Sequence, residues 1–239
     1  MRVAKASAWS LVAALTVTGL AGCSGDDEGE QALTDRDGAE VIELVGDDMA
    51  EINAMHVAGV TEEAGTTVTF DLSTDRVGHC TGTMSIGAGT SEFVTDGEQF
   101  FIKGDEAFWS STTEDRATAR QVLAFIGDKW ALVEGAEFEE FCDLPSMLEG
   151  IGTPPEDAEV SVADDLSTHR GVDVVKVRTE RENGDVTTTL VTAQAPHRIV
   201  RSQRQGSAEA TLELSEFDEP VRAQLPAAGD YVDLAELTK

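Results

Sequence analysis

The sequence predicts an α+β fold built on a largely antiparallel sheet in one domain. Three observations lead there. A stretch near residue 40 carries apolar residues at helical spacing, and two groups of short alternating segments flank a helical middle. In the last third, Asn183-Gly184 separates two alternating segments, the strongest hairpin signal in the chain.

The amino terminus comes first. Arg2 and Lys5 precede an apolar run from Ala6 to Leu20, which ends in Leu20-Ala21-Gly22-Cys23. A basic start, a short apolar middle and small residues before a cut form the layout of a secretory signal. The run is too short to span a bilayer, which takes about 20 apolar residues. Leu, small, small, Cys resembles the lipobox of bacterial lipoproteins, which implies cleavage before Cys23, acylation of its thiol and retention at the outer face of the cell membrane. On this reading residues 1–22 are the signal peptide, 23–37 a flexible acidic tether and 38–239 one domain.

Helical spacing from Ala39 to Ile52 (Val41, Ile42, Leu44, Val45, Met49, Ile52) predicts an amphipathic helix. Alternation then predicts strands at 56–60, 66–72, 80–86, 91–95 and 99–103, with Phe108-Trp109 closing the group. Gly87-Ala88-Gly89, Asp96-Gly97 and Gly104-Asp105 supply the turns. Thr113 to Ile126 reads as a helix ending at Gly127, and Glu137 to Ile151 as a second, kinked or broken at Pro145, with Lys129–Val133 a short apolar link. Strands return at 158–162, 171–179, 186–192, 197–203 and 208–214.

Composition limits the function classes. The chain has a net charge of −29, and loss of residues 1–22 makes it −31. Such a chain repels nucleic acid and anionic membrane surfaces, so a lipid rather than charge would hold it at a membrane. A hydrophobic content of 41% is enough for a core. With Cys23 acylated, Cys80 and Cys142 remain in an oxidising compartment, and a disulfide is the economical pairing; two buried thiols are the alternative.

No catalytic chemistry is legible. His56, His79, His169 and His197 lack metal-ligand spacing, and no metal or cofactor is expected. His79 and Cys80 are neighbours on a strand and so point to opposite faces. No nucleophile elbow, phosphate loop or dinucleotide fingerprint is present. Asp26-Asp27 and Asp47-Asp48 lack a calcium loop's periodicity, and 46 acidic residues are too many to single out a carboxylate pair. The reading is therefore non-enzymatic.

A resemblance spans residues 39–228. In order come Val57-x-Gly59, Cys80-Thr81-Gly82-Thr83, Glu92-Phe93-Val94-Thr95-Asp96-Gly97, Phe101-Ile102-Lys103-Gly104-Asp105 and Phe108-Trp109. Lys129-Trp130, Thr192-Ala193-Gln194-Ala195-Pro196 and Glu216-Phe217-Asp218-Glu219-Pro220 follow. This order, behind a lipobox, resembles the actinobacterial cell-envelope lipoproteins of the LolA/LppX superfamily. The resemblance implies a half-barrel of about ten antiparallel strands curved around two to three helices, with an apolar cavity that holds acyl chains of a lipid or lipoglycan. It also implies that a Cys80–Cys142 bridge pins helix to sheet. The expected lining is Val68, Phe70, Leu72, Met84, Ile86, Phe93, Phe100, Ile102, Leu123 and Ile126, for each of which plain core packing is the competing assignment. The implied function is binding or carriage of an acyl-chain ligand; a structural or interaction lipoprotein of the envelope, docked on an unknown protein partner, is the alternative.

Overall fold

A computed structural model describes residues 32–63, 65–113, 115–134, 142–149, 151, 153 and 156–238. The signal segment, Cys23 and the tether up to residue 31 lie outside the described residues. Leu33, at the start of them and within the stretch assigned to the tether, is buried in the core.

Helix α1 (Gly38–Ala50) starts at a capping box: Asp37 accepts the Glu40 N–H at 2.9 Å, and Glu40 stands at the third helical position. Its buried stripe is Val41, Val45 and Met49. Each contributes about 1.5–3 kcal/mol by burial, which offsets the entropy of ordering so short a helix. Its carboxyl end is satisfied by cations, as the helix dipole favours. Arg198 Nη1 donates to the Asp48 carbonyl at 2.8 Å, and Arg76 donates to the carbonyls of Ala50 and Ile52.

The sheet begins with β1 (Ala54–Glu63), β2 (Thr66–Asp75), β3 (His79–Ile86), β4 (Gly89–Asp96) and β5 (Phe100–Gly104), an antiparallel meander. Next come α2 (Glu106–Thr112), α3 (Arg116–Ile126), β6 (Trp130–Val133) and α4 (Leu144–Leu148). The remaining strands are β7 (Ala158–Val162), β8 (Ser167–His169), β9 (Val172–Arg181), β10 (Val186–Thr192), β11 (Ile199–Gln205), β12 (Glu209–Ser215) and β13 (Tyr231–Asp233). All join one open, curved sheet in the order β13-β6-β5-β4-β3-β2-β1-β12-β11-β10-β9-β7, with β8 beside β7 on the edge of β9. Asp105, Asp115 and Asp143 cap α2, α3 and α4, so every α-helix among the described residues starts at an aspartate.

Register shows how alternation becomes a core. Leu214, Val57, Leu72, Gly82, Phe93, Ile102 and Ala131 face one another across β12, β1, β2, β3, β4, β5 and β6 on the helix-bearing side. Above this row α2 sits close to the sheet: a Cβ on Gly89 would run into the Phe108 backbone. The Cys80–Cys142 disulfide, with Cα atoms 5.6 Å apart, ties β3 to the residue just before α4. Beside it the buried Thr74 hydroxyl donates to the Cys142 carbonyl at 2.6 Å.

Several expectations change. The sheet has 13 strands rather than about ten. β8 and β13 are three residues each, too short to show alternation, and the segment read as a link between helices is β6. β13 runs parallel to β6, so the sheet is mixed rather than wholly antiparallel. Four α-helices, not two to three, are present among the described residues. Phe108 and Trp109 lie in α2 instead of closing the strand group, because the Asp105 carboxylate caps the Phe108 N–H at 2.7 Å and starts a helix there. Pro145 sits in the first turn of α4, where its missing N–H is harmless, and does not kink a longer helix. The start of that expected helix, residues 137–141, lies outside the described residues.

Candidate functional site

The alternating segments do present the expected lining residues to the helix-bearing side, but unequally. Leu72, Met84, Phe93, Phe100, Ile102 and Ile126 are at most 5% exposed and belong to the packed core. Val68, Phe70, Ile86 and Leu123 are half-buried and pack against that core. Phe93 and Phe100 stack with ring centroids 5.9 Å apart. Helix α2 lies over β3–β5, and α3 packs against α2 and β13.

Space opens at the other end of the sheet. A cleft of about 200 Å³ lies between the amino-terminal half of α1 and the same face of β9, β10 and β11. Val41, Ile42 and Val45 form one wall, Val177, Val191 and Ile199 the floor, and Ile151 and Thr153 a side. Val41, Val45, Val177 and Val191 are themselves at most 5% exposed and belong to the packed core, so the half-buried Ile42, Ile151 and Ile199 are the apolar surface the cleft offers. Thr179, Thr187, Thr189 and Arg181 line the remainder. None of the ten expected lining residues reaches this cleft. Periodicity reports which side of a strand is apolar, and these strands share that side with β2–β5; it does not report how tightly helices cover each part. Threonines at alternate positions of β10 were the one available signal that this half of the face is less apolar.

The covering helix is held asymmetrically. Its carboxyl half carries the polar anchors: Arg198 and Arg76 on its carbonyls, and the Asp48 carboxylate accepting the His197 N–H at 2.5 Å. Its amino end rests on apolar contact, with Gly38 so close to Val160 of β7 that no Cβ would fit.

On the opposite face a polar ladder crosses β12, β1 and β2. Ser215 Oγ lies 3.2 Å from His56 Nδ1, and His56 Nε2 lies 3.0 Å from Asp71 Oδ1. The atoms match a nucleophile–base–orienter series, which sequence reasoning missed because the three sit on separate strands. The surroundings suit a cross-strand ladder better. Asp71 is 64% exposed, so water screens its charge, and the cleft of about 220 Å³ beside His56 is bordered by Glu216 and Glu219 as well as Arg222. Nearby, Glu213 accepts from His169 at 2.9 Å and from Arg201 at 3.0 Å, pinning the β8–β9 turn.

Carboxylates held below their usual range serve the fold. Asp105 is lowered chiefly by the Phe108 N–H it caps, and Asp115 by the N–H groups of Thr118 and Ala117. Asp96 is lowered by the Gln99 N–H in the β4–β5 turn, and Asp185 by the Ser207 N–H between two hairpins. Among the described residues no group of three or more His, Cys, Asp or Glu is placed to hold a metal, and no helix is long and apolar enough to cross a membrane.

No protein-family model matches the sequence, and no curated protein matches it. Solved structures do. LprF from Mycobacterium bovis superposes with a TM-score of 0.57 at 13% identity, covering 80% of this chain and 97% of its own. MucB gives a TM-score of 0.38 at 12% identity, over 81% of this chain and 63% of its own. An outer membrane lipoprotein-sorting protein domain from Vibrio parahaemolyticus gives 0.26 at 8% identity, over 77% and 95%. Of these three, only the LprF superposition is close enough to argue from, and at that identity it speaks to fold alone. The chain shares its fold with LprF.

Proposed function

We propose that this chain is an exported lipoprotein, acylated at Cys23, that binds or carries an acyl-chain ligand on its helix-bearing face at the outer side of the cell membrane. The observation that supports the binding reading is the cleft between α1 and β9–β11, where the half-buried Ile42, Ile151 and Ile199 lie over the buried Val177 and Val191. Its volume sets the scale. At about 200 Å³ it falls below the roughly 300–1,000 Å³ of pockets that enclose whole small molecules. One end of a single chain fits, and a longer chain runs on over the half-buried Val68, Phe70, Ile86 and Leu212. Burying about eight methylenes at ~0.8 kcal/mol each gives about 6 kcal/mol, a dissociation constant of tens of micromolar before ordering costs. The route in is the amino end of α1, where Gly38 lies against Val160 of β7.

A structural lipoprotein is the second reading. What favours it is the close packing over β2–β5, where most of the expected lining is already core. Native mass spectrometry of the soluble form without the anchor, residues 24–239, separates the two. Protein from a lipid-containing host should carry a discrete lipid adduct that organic extraction removes. A clean apo mass, with no uptake of added fatty acid or phospholipid, overturns the carrier reading and leaves the structural one.

A further inference from the structure

The polarity of the cleft is ordered along the strands. Register places Val175, Val191 and Ile199 in one row across β9, β10 and β11, and Val177, Thr189 and Ser202 in the next. Thr179, Thr187 and Arg204 form the third, and Arg181 stands one step further along β9. At about 3.3 Å per residue the apolar row and Arg181 are roughly 20 Å apart. The face thus passes from aliphatic, through hydroxyl, to cationic.

Arg181 is exposed, lines the cleft, and among the described residues makes no ion pair. Its neighbour Arg178, on the opposite face, is paired with Glu180. Arg204 lies near Asp185, whose carboxylate also accepts from the Ser207 N–H and hydroxyl, both at 2.7 Å. In a chain with 46 acidic residues against 17 Lys and Arg, a guanidinium with no ion pair among the described residues, on the same face as Thr179 and Thr187, is a local reversal of sign.

We propose that the cleft takes a single-chain anionic amphiphile, its tail on the half-buried Ile42, Ile151 and Ile199 and its head group, a carboxylate or phosphate monoester, on Arg181 and the hydroxyls of Thr179 and Thr187. The planar guanidinium fork matches either head group through paired N–H donors, and the threonine hydroxyls add further donors. This rests on the acyl-binding reading and adds to it the class of head group. The sign of the preference is diagnostic, because the net field of an acidic chain favours a neutral amphiphile over an anionic one unless a local cation intervenes.

The test is equilibrium binding of dodecanoate, dodecyl phosphate and dodecanol, below their aggregation limits, to the mature wild-type chain and to Arg181→Gln and Arg181→Lys variants. The wild type should bind both anions about tenfold more tightly than the alcohol. Arg181→Gln should bring the ratio to one or below while alcohol affinity stays within twofold, and Arg181→Lys should keep part of the preference. Equal binding of anions and alcohol by the wild type overturns the head-group assignment and leaves acyl binding standing, as does a preference that survives Arg181→Gln. Loss of all three ligands in Arg181→Gln makes Arg181 a wall of the cleft and overturns the assignment too. If the wild type binds none of the three, acyl binding itself fails.

Discussion

Replacing Cys80 and Cys142 together by alanine removes the bridge between β3 and the start of α4 and frees a sequence separation of 62 residues. In the chain-entropy account, a loop of that length is worth about 4 kcal/mol, because the bridged unfolded chain has fewer conformations to lose. For a domain of this size each kcal/mol moves Tm by about 2–4 °C, so a fall of about 8–16 °C is expected. Alanine also removes two sulfur atoms from sites 0% and 4% exposed, which adds a packing loss. Reduction by dithiothreitol keeps the sulfurs and isolates the entropic part. Differential scanning calorimetry of oxidised wild type, reduced wild type and the double variant therefore gives an ordered series, with the variant lowest. A fall below about 3 °C in the reduced wild type refutes the reasoning, since it requires either that no bridge forms or that residues 80–142 are already constrained in the unfolded chain.

Asp105→Ala removes the cap of α2, which holds the Phe108 N–H at 2.7 Å and the Thr90 hydroxyl at 2.9 Å, and should destabilise the fold by about 1–2 kcal/mol in urea melts at pH 7. The carboxyl is held below its ordinary 3.8 in the folded state, so its contribution is complete above that value and is lost as pH falls through the lowered one. The gap between wild type and variant should therefore close on acidification below pH 3.8, and a gap unchanged down to acid unfolding rules out the charged cap as its source. Gly89→Ala drives a methyl into the Phe108 backbone, and overpacking of this kind costs about 1–3 kcal/mol, read as a lower urea midpoint at unchanged slope. An unchanged midpoint means that α2 is not seated on the β3–β4 turn.

The order of elements was largely legible because the periods differ. Val68, Phe70 and Leu72 alternate on β2, and Val41, Val45 and Met49 recur every four residues on α1, so each segment declares its type and its buried side. Short elements escape such reasoning. Helix α2, Glu106-Ala-Phe-Trp-Ser-Ser-Thr112, completes two turns, too few for a period, and only Asp105 at its cap marks it. β13 pairs with β6 across about a hundred residues of chain, and a three-residue strand carries no sign of its partner. The disulfide was legible from cysteine arithmetic, since the chain has three cysteines and the lipobox reading sets Cys23 aside.

The site was less legible than the fold for a related reason. Alternation assigns a residue to a face but says nothing about how closely that face is covered, and a binding site is a failure of coverage. Phe93, Phe100 and Ile102 have the strongest apolar signal in the strands, so helices pack on them and the space closes. Thr187, Thr189 and Arg181 interrupt the apolar signal of β9 and β10, and burying them completely would strand hydroxyls and a cation without water. The half of the sheet that looks poorest as a core is for that reason the half left open. An amphiphile is the kind of ligand for which this mixture is an advantage, because its tail needs the aliphatic side chains and its head group needs what these exclude. The same contrast runs along α1: polar bonds at Asp48, Ala50 and Ile52 fix its carboxyl end over the core, while Gly38 at its amino end lies against the aliphatic Val160 of β7.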